Sequence, residues 1–504
     1  MKQNKITLIS LYNYQVFGLR IIQSILKKNE YTSPLIFLKK ECLLPSKITP
    51  LSEKEIDIVI DFLKKSNTQL VGISLNTHYF NTAKKLTEEI KKRVHIPVVW
   101  GGAHPTFDPE QSIKVADAIC IGEGEEAIIG LANYFLKKGP VNVANTWIKK
   151  RDKTLKNKFT QHPKDLNTNP FIDYSDENKF VIENGKIKYG DPLTRYFTLY
   201  TIFSRGCEFN CSFCIHSILN KIFIKRLRKK EIKNIIAEII YAQTKFKRIN
   251  EIKFLDENFP KENTWIKRFV EEYKKNINLP FLINLNPNLS DKNNIKLLKT
   301  AGLRDVIVGI QSGSEEIRKK VYNRLETNEK ILELAKILKN NSLMADYDLI
   351  VDNPLEKKEN KQQTLSLTLK LPRPFNIHLY SLMYFPNTCL TNNFLEDKII
   401  SQKGLLSDKQ LNKYGFTFRH SRSNEDKFYT ALISLTSKRF IPKSIIPLLE
   451  KIRFLEQNPN ILIIFVELCN KIKFFQRGIV AILNGKISKQ FLKDQIPSLK
   501  ERVI

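Results

Sequence analysis

Two blocks of this chain repeat one pattern, a short apolar run followed by a helix-length segment with apolar residues three and four apart. In the first block, strand-like runs at 6–11, 34–38, 70–75, 96–100 and 116–121 alternate with helical stretches at 19–28, 53–65, 81–93 and 125–138. Strands alternating with helices of this length call for a parallel sheet with helices on both faces. Such sheets bind ligands beyond the carboxyl ends of their strands, so the loops after Leu11, Leu75, Trp100 and Ile121 are the ones to watch. The second block begins at Tyr196, with strands at 197–203, 251–255, 281–285, 304–310, 345–351 and 378–383. Helical segments at 229–246, 263–275, 293–300, 314–322 and 328–340 separate them, and the third ends at Gly302. Repeated units in this number suggest a partial or full barrel with its active site at the strands' carboxyl ends.

The stretch 141–195 is polar and carries the turn signals Asn169-Pro170 and Asp191-Pro192, so it reads as a connector with one hairpin. Beyond the barrel, helical periodicity at 424–437, 445–457 and 460–483 marks a third, mostly α-helical segment. The expected division is therefore 1–140 (α/β), 141–195 (linker), 196–395 (barrel) and 396–504 (helical). A chain of 504 residues exceeds the ~250–300 that one core serves, which agrees with several domains.

The formal net charge of +31 raises the question of nucleic acid. The excess is spread along the chain: +5 over 1–140, +15 over 141–400 and +11 over 401–504. Neither an arginine-rich tract nor an aromatic-studded basic repeat occurs, which argues against a nucleic-acid substrate. The basic run 149–158 reads as a solvated face, and the helical segment's basic excess leaves a peripheral membrane contact open. No signal peptide is evident, and no apolar run approaches the ~20 residues of a spanning helix. Cys42, Cys120, Cys389 and Cys469 are scattered without a disulfide pattern, as in a reducing compartment, so a cytoplasmic protein is expected.

The remaining three cysteines fall within eight positions, in Thr201–Ser217, TIFSRGCEFNCSFCIHS. Cys207, Cys211 and Cys214 stand in C-x3-C-x2-C spacing, with Phe213 just before the last. A structural zinc site or an electron-transfer cluster takes four protein ligands, and this loop offers three. If the centre is a four-iron four-sulfur cluster, one iron stays open to chemistry. The bland alternatives are a zinc knuckle completed by His216, or three incidental thiols.

This loop resembles the signature of the radical S-adenosylmethionine enzymes, whose open iron chelates the amino and carboxylate groups of S-adenosylmethionine. Further stretches resemble that family in order: Phe254-Leu255-Asp256-Glu257-Asn258-Phe259, Gly309-Ile310-Gln311-Ser312-Gly313-Ser314, Asn323-Arg324, Asp348 to Pro354, and Tyr384-Phe385-Pro386-Asn387-Thr388. Gln311 stands where the family usually has Glu, and Asn387 where it has Gly. The resemblance implies a partial (β/α)6 barrel in which Cys207, Cys211 and Cys214 hold the cluster. It also implies that Phe213, Asp256, Glu257, Asn284, Ser312 and Arg324 contact S-adenosylmethionine, Arg324 through the methionine carboxylate.

The first block is similar to the flavodoxin-like cobalamin-binding domain, with D-x-H-x-x-G after the first strand, Ser after the third and Gly-Gly after the fourth. Here Asn13-Tyr14-Gln15-Val16-Phe17-Gly18, Ser74, Gly101-Gly102-Ala103-His104 and Gly122-Glu123-Gly124 occupy those places. The implied cobalamin contacts are Asn13, Gln15, Gly18, Ser74, Gly101, Gly102, His104, Gly122, Glu123 and Gly124. Gln15 replaces the cobalt-ligating His and Asn13 its supporting Asp, and a carboxamide is a poor cobalt ligand. His104 and His78 read as loop hydrogen-bonders rather than axial ligands.

Taken together, the resemblances imply a four-iron four-sulfur cluster, S-adenosylmethionine and cobalamin, with an electron donor such as a flavodoxin or ferredoxin. The family's reaction cleaves S-adenosylmethionine to a 5′-deoxyadenosyl radical that abstracts hydrogen from an unactivated carbon. The expected outcome is methylation of a carbon or phosphorus centre in a small-molecule or lipid-like substrate. Alternatives are a non-methylating cyclisation, oxidation or rearrangement with the same cofactors, a tRNA-modifying enzyme related to the methylthiotransferases, and a non-catalytic metal-binding protein. The tRNA reading predicts an extra three-cysteine site and a small C-terminal β-barrel, neither of which the sequence shows.

Overall fold

Burial on both faces of β1 (Ile6–Leu11) and β2 (Leu35–Leu38) is complete in the computed structural model. It describes residues 4–39, 50–163, 165–224, 227–246, 248–405 and 423–483. With β3 (Leu70–Ser74), β4 (Val98–Gly101) and β5 (Ala118–Cys120), these strands pair in parallel, as strands joined through helices must. The helix Glu53–Lys65 shows why such segments start where they do. Ser52 and Glu55 cap each other's backbone N–H groups, and Ile56, Val59, Ile60 and Leu63 turn into the core.

The stretch 141–195 is not the simple connector its composition suggested. It supplies β6 (Thr146–Lys150) and β7 (Lys153–Lys156) to one edge of the sheet, and β8 (Lys179–Glu183) and β9 (Lys186–Tyr189) to the other. The nine-stranded order is β7-β6-β5-β4-β3-β1-β2-β8-β9, with β8 parallel to β2 and the rest of the additions antiparallel. Both outermost strands are exposed at every position, so no apolar pattern announces them. A fully buried pair anchors this region: the Arg20 fork grips Asp191 at 2.5 and 2.9 Å and Tyr14 O at 2.8 Å. Removing one partner of such a pair typically costs about 3–5 kcal/mol.

The second block follows the expected alternation. It comprises β10 (Thr198–Thr201), the paired short strands β11 (Ser204–Arg205) and β12 (Arg228–Lys229), β13 (Glu251–Phe254), β14 (Phe281–Leu285), β15 (Leu303–Gln311), β16 (Met344–Val351) and β17 (Phe375–Ser381). Its six-stranded sheet keeps chain order, β10-β13-β14-β15-β16-β17, and a helix follows each strand. The expected helix at 314–322 is a short π-type turn, Ile317–Val321. Three helices among the described residues of this block were not foreseen, His216–Ile222, Lys358–Lys370 and Cys389–Glu396; the second buries Thr364 and Thr368 beside Leu365 and Leu367, so its stripe is half polar. The expected 445–457 helix is broken into Ile446–Glu450 and Arg453–Gln457, while Asn460–Leu483 runs continuously. Cys42 and positions 406–422 and 484–504 of the helical segment lie outside the described residues.

Contacts divide the described residues into two compact units, the first within 4–306 and 383–405, the second within 307–382 and 423–483. In the first, an aromatic cluster of Phe203, Phe254, Phe259, Trp265 and Phe269 underlies β10 and β13; the Trp265 and Phe269 rings stack at 5.3 Å. In the second, the helix Asn424–Thr436 buries every residue from Phe428 on, and Lys361 ties its first turn through Glu425 and Asp426 at 2.7 and 2.5 Å.

Candidate cofactor site

The loop after β1 closes on itself. Asn13 Oδ1 accepts the N–H groups of Gln15 and Val16 at 2.8 and 3.0 Å, and Ser10 Oγ donates to Asn13 O at 2.5 Å. This is an Asx-type turn, the ordinary work of a short carboxamide. The Gln15 side chain lies beside the Tyr200 phenol of β10. His104 is likewise turned inward: fully buried, its Nδ1 is 3.3 Å from Thr77 Oγ1 and its ring 4.9 Å from that of Phe80. Burial lowers its pKa to about 4, so the imidazole is neutral. Asn13, Gln15 and His104 thus do not line the cavity described next, contrary to the contact set that the motif positions implied.

The other loop residues converge. Gly18, Ser74, Gly101, Gly102, Gly122, Glu123 and Gly124 line a cavity of about 380 Å³ whose apolar wall includes Leu8, Ile22, Val99, Ile128 and Leu131. A methyl group added to Gly18 or Gly101 would meet nothing within 4 Å. The protein's own packing does not require glycine at those two places; a ligand lying close to the backbone does. Gly102 is different, since its φ of +97° and the Leu75 carbonyl 2.9 Å from a would-be Cβ demand glycine for the turn itself. The broad, flat face of a corrin ring such as cobalamin's fits this wall.

The same cavity is bounded by Ser204, Arg205, Gly206, Ile215, His216, Leu255, Asp256 and Glu257, from the two ends of the cysteine loop and the end of β13. Within that loop Cys214 N–H bonds Cys211 O at 3.1 Å, Ser217 N–H bonds Cys214 O at 2.9 Å, and Asn258 Nδ2 approaches Cys207 Sγ at 3.4 Å. Burial, then the Glu257 charge, pushes the Cys214 thiol up to about 12, and the neighbouring Cys211 and Cys207 add to it. Three thiols on one tight loop are a donor set suited to an iron–sulfur cluster with an open iron. Among the described residues no three His, Cys, Asp or Glu side chains already stand in a metal cage. His216, the candidate fourth zinc ligand, faces Glu257 at 3.6 Å. Phe213 is half-buried in the loop and does not reach the cavity.

Asp256 is the most informative side chain here. Its Oδ1 accepts three hydrogen bonds, from Phe203 N, Ser204 N and Ser204 Oγ, at 3.1, 2.6 and 2.5 Å. Its Oδ2 is buried with no protein partner. Burial raises this carboxyl to about 7 against those bonds. A buried acceptor left open at a cavity fits an N–H of the amino group of S-adenosylmethionine. Asn284 does not line the cavity but donates to Asp256 O at 2.9 Å, holding the β13 loop to β14.

Ser312 and Arg324 belong to the second unit, where their polar groups are engaged locally. Ser312 Oγ donates to Glu356 at 2.7 Å, and the Arg324 guanidinium reaches Glu326 at 2.8 Å and Gly309 O at 2.9 Å. Glu356 was not foreseen; burial raises it to about 7. Also unforeseen were Tyr200, Arg228 and the start of the helix Cys389–Glu396, where Leu390 N–H bonds Ser212 O in the cysteine loop at 3.0 Å. Only Arg205 carried a sequence signal, two residues from the first cysteine.

With this geometry in place, comparison with known proteins identifies the class. The B12 binding domain matches residues 8–132, and the Radical SAM superfamily matches 201–351. The chain therefore carries a B12-binding domain followed by a radical S-adenosylmethionine domain, and the cofactors that go with this pair are a four-iron four-sulfur cluster, S-adenosylmethionine and cobalamin. Curated relatives include an uncharacterized methyltransferase of Pyrococcus horikoshii, 26% identical over 62% of this chain and 66% of its own. A bacteriochlorophyllide d C-8(2)-methyltransferase of Chlorobaculum tepidum is 27% identical over 52% of this chain and 55% of its own. The matched stretch thus spans just over half to two thirds of these relatives' length. Among solved structures, the cobalamin-dependent S-adenosylmethionine radical enzyme OxsB superposes with a TM-score of 0.63 at 14% identity, covering 100% of this chain and 84% of that one. The radical S-adenosylmethionine methyltransferase TsrM from Kitasatospora setae gives 0.63 at 14% identity over 78% and 76%, likewise a likeness of fold. Among the described residues no helix is long and apolar enough to cross a membrane.

Proposed function

We propose that this enzyme methylates an unactivated carbon or phosphorus centre of a small-molecule or lipid-like substrate. One observation carries the reading: a single cavity is walled on one side by the open glycines of the B12-binding loops and on the other by the cysteine loop and Asp256. When bound, the cluster supplies the electron that cleaves S-adenosylmethionine and cobalamin supplies a transferable methyl group. The chain's residues bind, orient and exclude water. Cys207, Cys211 and Cys214 would hold the cluster, and Asp256 Oδ2 would accept an N–H of the amino group of S-adenosylmethionine. Asn284 keeps the Asp256 loop in place, while Leu8, Ile22, Val99, Ile128 and Leu131 keep the cobalamin side dry. No side chain at the Asn13–Gln15 turn is offered to cobalt, because Asn13 serves the turn and Gln15 lies beside Tyr200. The two relatives named as methyltransferases support the transfer of a methyl group.

A second reading keeps the cofactors and transfers no methyl. It is favoured by the anaerobic magnesium-protoporphyrin IX monomethyl ester cyclase of Rubrivivax gelatinosus, 26% identical over 67% of this chain and 59% of its own. Anaerobic reconstitution with iron, sulfide and hydroxocobalamin, followed by metal analysis, tests the shared part: about four irons and one cobalt per chain are expected. Product mass then separates the readings. A gain of one methylene unit supports methyl transfer, and a turned-over product without it overturns that proposal.

A further inference from the structure

Glu123, placed among the cobalamin contacts by its motif position, is held by Arg205, which lines the other half of the cavity, and by Arg228, the partner of Arg205 across β11 and β12. Its Oε2 lies 3.1 Å from Arg205 Nη1 and 3.2 Å from Arg228 Nη1, and its Oε1 also bonds the Arg228 fork. Glu125, in the first turn of the helix Glu125–Lys137, meets Arg205 Nη2 at 2.5 Å. Arg228 Nη1 bonds Pro163 O at 2.8 Å, and Glu123 N–H points to His162 Nε2 at 3.4 Å. The four charged side chains are 9–22% exposed. Forked guanidinium–carboxylate contacts with this little solvent hold orientation as well as proximity.

Their places in the chain give the cluster its meaning. Arg205 and Arg228 face each other across the β11–β12 pair, so two like charges sit side by side and depend on the carboxylates between them. Glu123 lies between Gly122 and Gly124 on the cavity wall, and Arg205 precedes Cys207 by one residue, Gly206, at φ +95°. Ser204, the other residue of β11, is gripped by Asp256. The first strand of the cysteine loop is thus pinned to the S-adenosylmethionine side by Asp256 and to the cobalamin side by Glu123 and Glu125. We propose that Glu123, Glu125, Arg205 and Arg228 are positioning residues forming a brace that makes the cluster loop and the cobalamin edge move together, so that filling one site tightens the other. This rests on the cofactor reading above.

Coupling of this kind is reciprocal and amounts to roughly 5- to 150-fold in affinity. The test is titration of the full chain with hydroxocobalamin, with the cluster reconstituted and after its removal by anaerobic chelation. Wild type is expected to bind at least about fivefold more tightly with the cluster in place. In Glu123→Gln and in Arg228→Lys, which keeps the charge but loses the fork, the two affinities are expected to agree within about twofold. Glu125→Gln, leaving Glu123 in place, serves if either variant fails to fold, and is expected to shrink the difference partway. Equal affinities in wild type, or a difference that survives intact in the folded variants, overturn the brace while leaving cobalamin binding standing. Wild type that binds no hydroxocobalamin in either state overturns both the brace and the cofactor reading.

Discussion

Asp256 and Glu356 are both carboxyls at strand ends that burial raises to about 7, one in each unit. Asp256 has one oxygen saturated by three donors and one left without a partner at a cavity wall. Glu356 takes the hydroxyl of Ser312, and nearby Arg324 is occupied by Glu326. A raised pKa alone therefore does not mark a binding group. What distinguishes Asp256 is an acceptor that nothing in the protein uses, beside glycines that leave space the protein does not fill.

The sharpest way to break the contrast is to fill the open side. Gly101→Leu starts its side chain at a cavity wall where an added Cβ meets nothing within 4 Å, so the melting temperature should hold while hydroxocobalamin affinity falls by about 30- to 150-fold, the equivalent of about 2–3 kcal/mol of steric conflict. A variant that keeps full cobalt loading would show that the ligand does not lie against this wall.

Asp256→Asn should weaken S-adenosylmethionine binding about 10- to 100-fold at pH 8, from the loss of a charge-assisted bond. The wild-type pH profile follows from the raised carboxyl. Below about 7 it is neutral, and an N–H donor on a cationic ligand favours the ionised form, so binding expels a proton. Affinity should rise from pH 5 to 7 and then level, whereas Asp256→Asn should lack that rise; equal slopes in the two proteins would remove Asp256 from the site.

The smallest effect is expected at Glu356. Its folded-state pKa lies above the unfolded carboxylate value, so the folded protein holds this proton more tightly and loses stability as pH rises from about 4.5 to about 7. Glu356→Gln should be more stable than wild type at pH 8 by about 1–3 kcal/mol and indistinguishable near pH 4, with cobalamin binding unchanged. Equal stabilities at pH 8 would show the carboxyl to be better solvated than its burial suggests.

Legibility followed solvent. Where a strand is buried on both faces or a helix has one apolar stripe, as in β1, β2 and Glu53–Lys65, periodicity located it within about two residues. The edge strands β7 and β9 are exposed throughout, so their residues carry no such pattern, and 141–195 read as a connector. Helix Lys358–Lys370 hid behind buried threonines. In the site, the cysteine spacing and strand-end glycines were readable because short-range geometry dictates both. The hydrogen-bonding role of His104 was readable and the Asn13 turn is local, but the placement of Gln15 was not, since it depends on Tyr200, which lies far along the chain.

By itself, the amino-acid sequence determined two alternating blocks, a three-thiolate loop with no fourth ligand, and loops of glycine at strand ends, because each is written in residues close together. Only the tertiary structure decided that those glycines and Asp256 share one cavity, that Glu123 is claimed by Arg205 and Arg228, and that Gln15 faces a phenol. Those pairings join residues 82 to 238 positions apart, and at such separations it is the packing of whole sheets, not local preference, that chooses the partner.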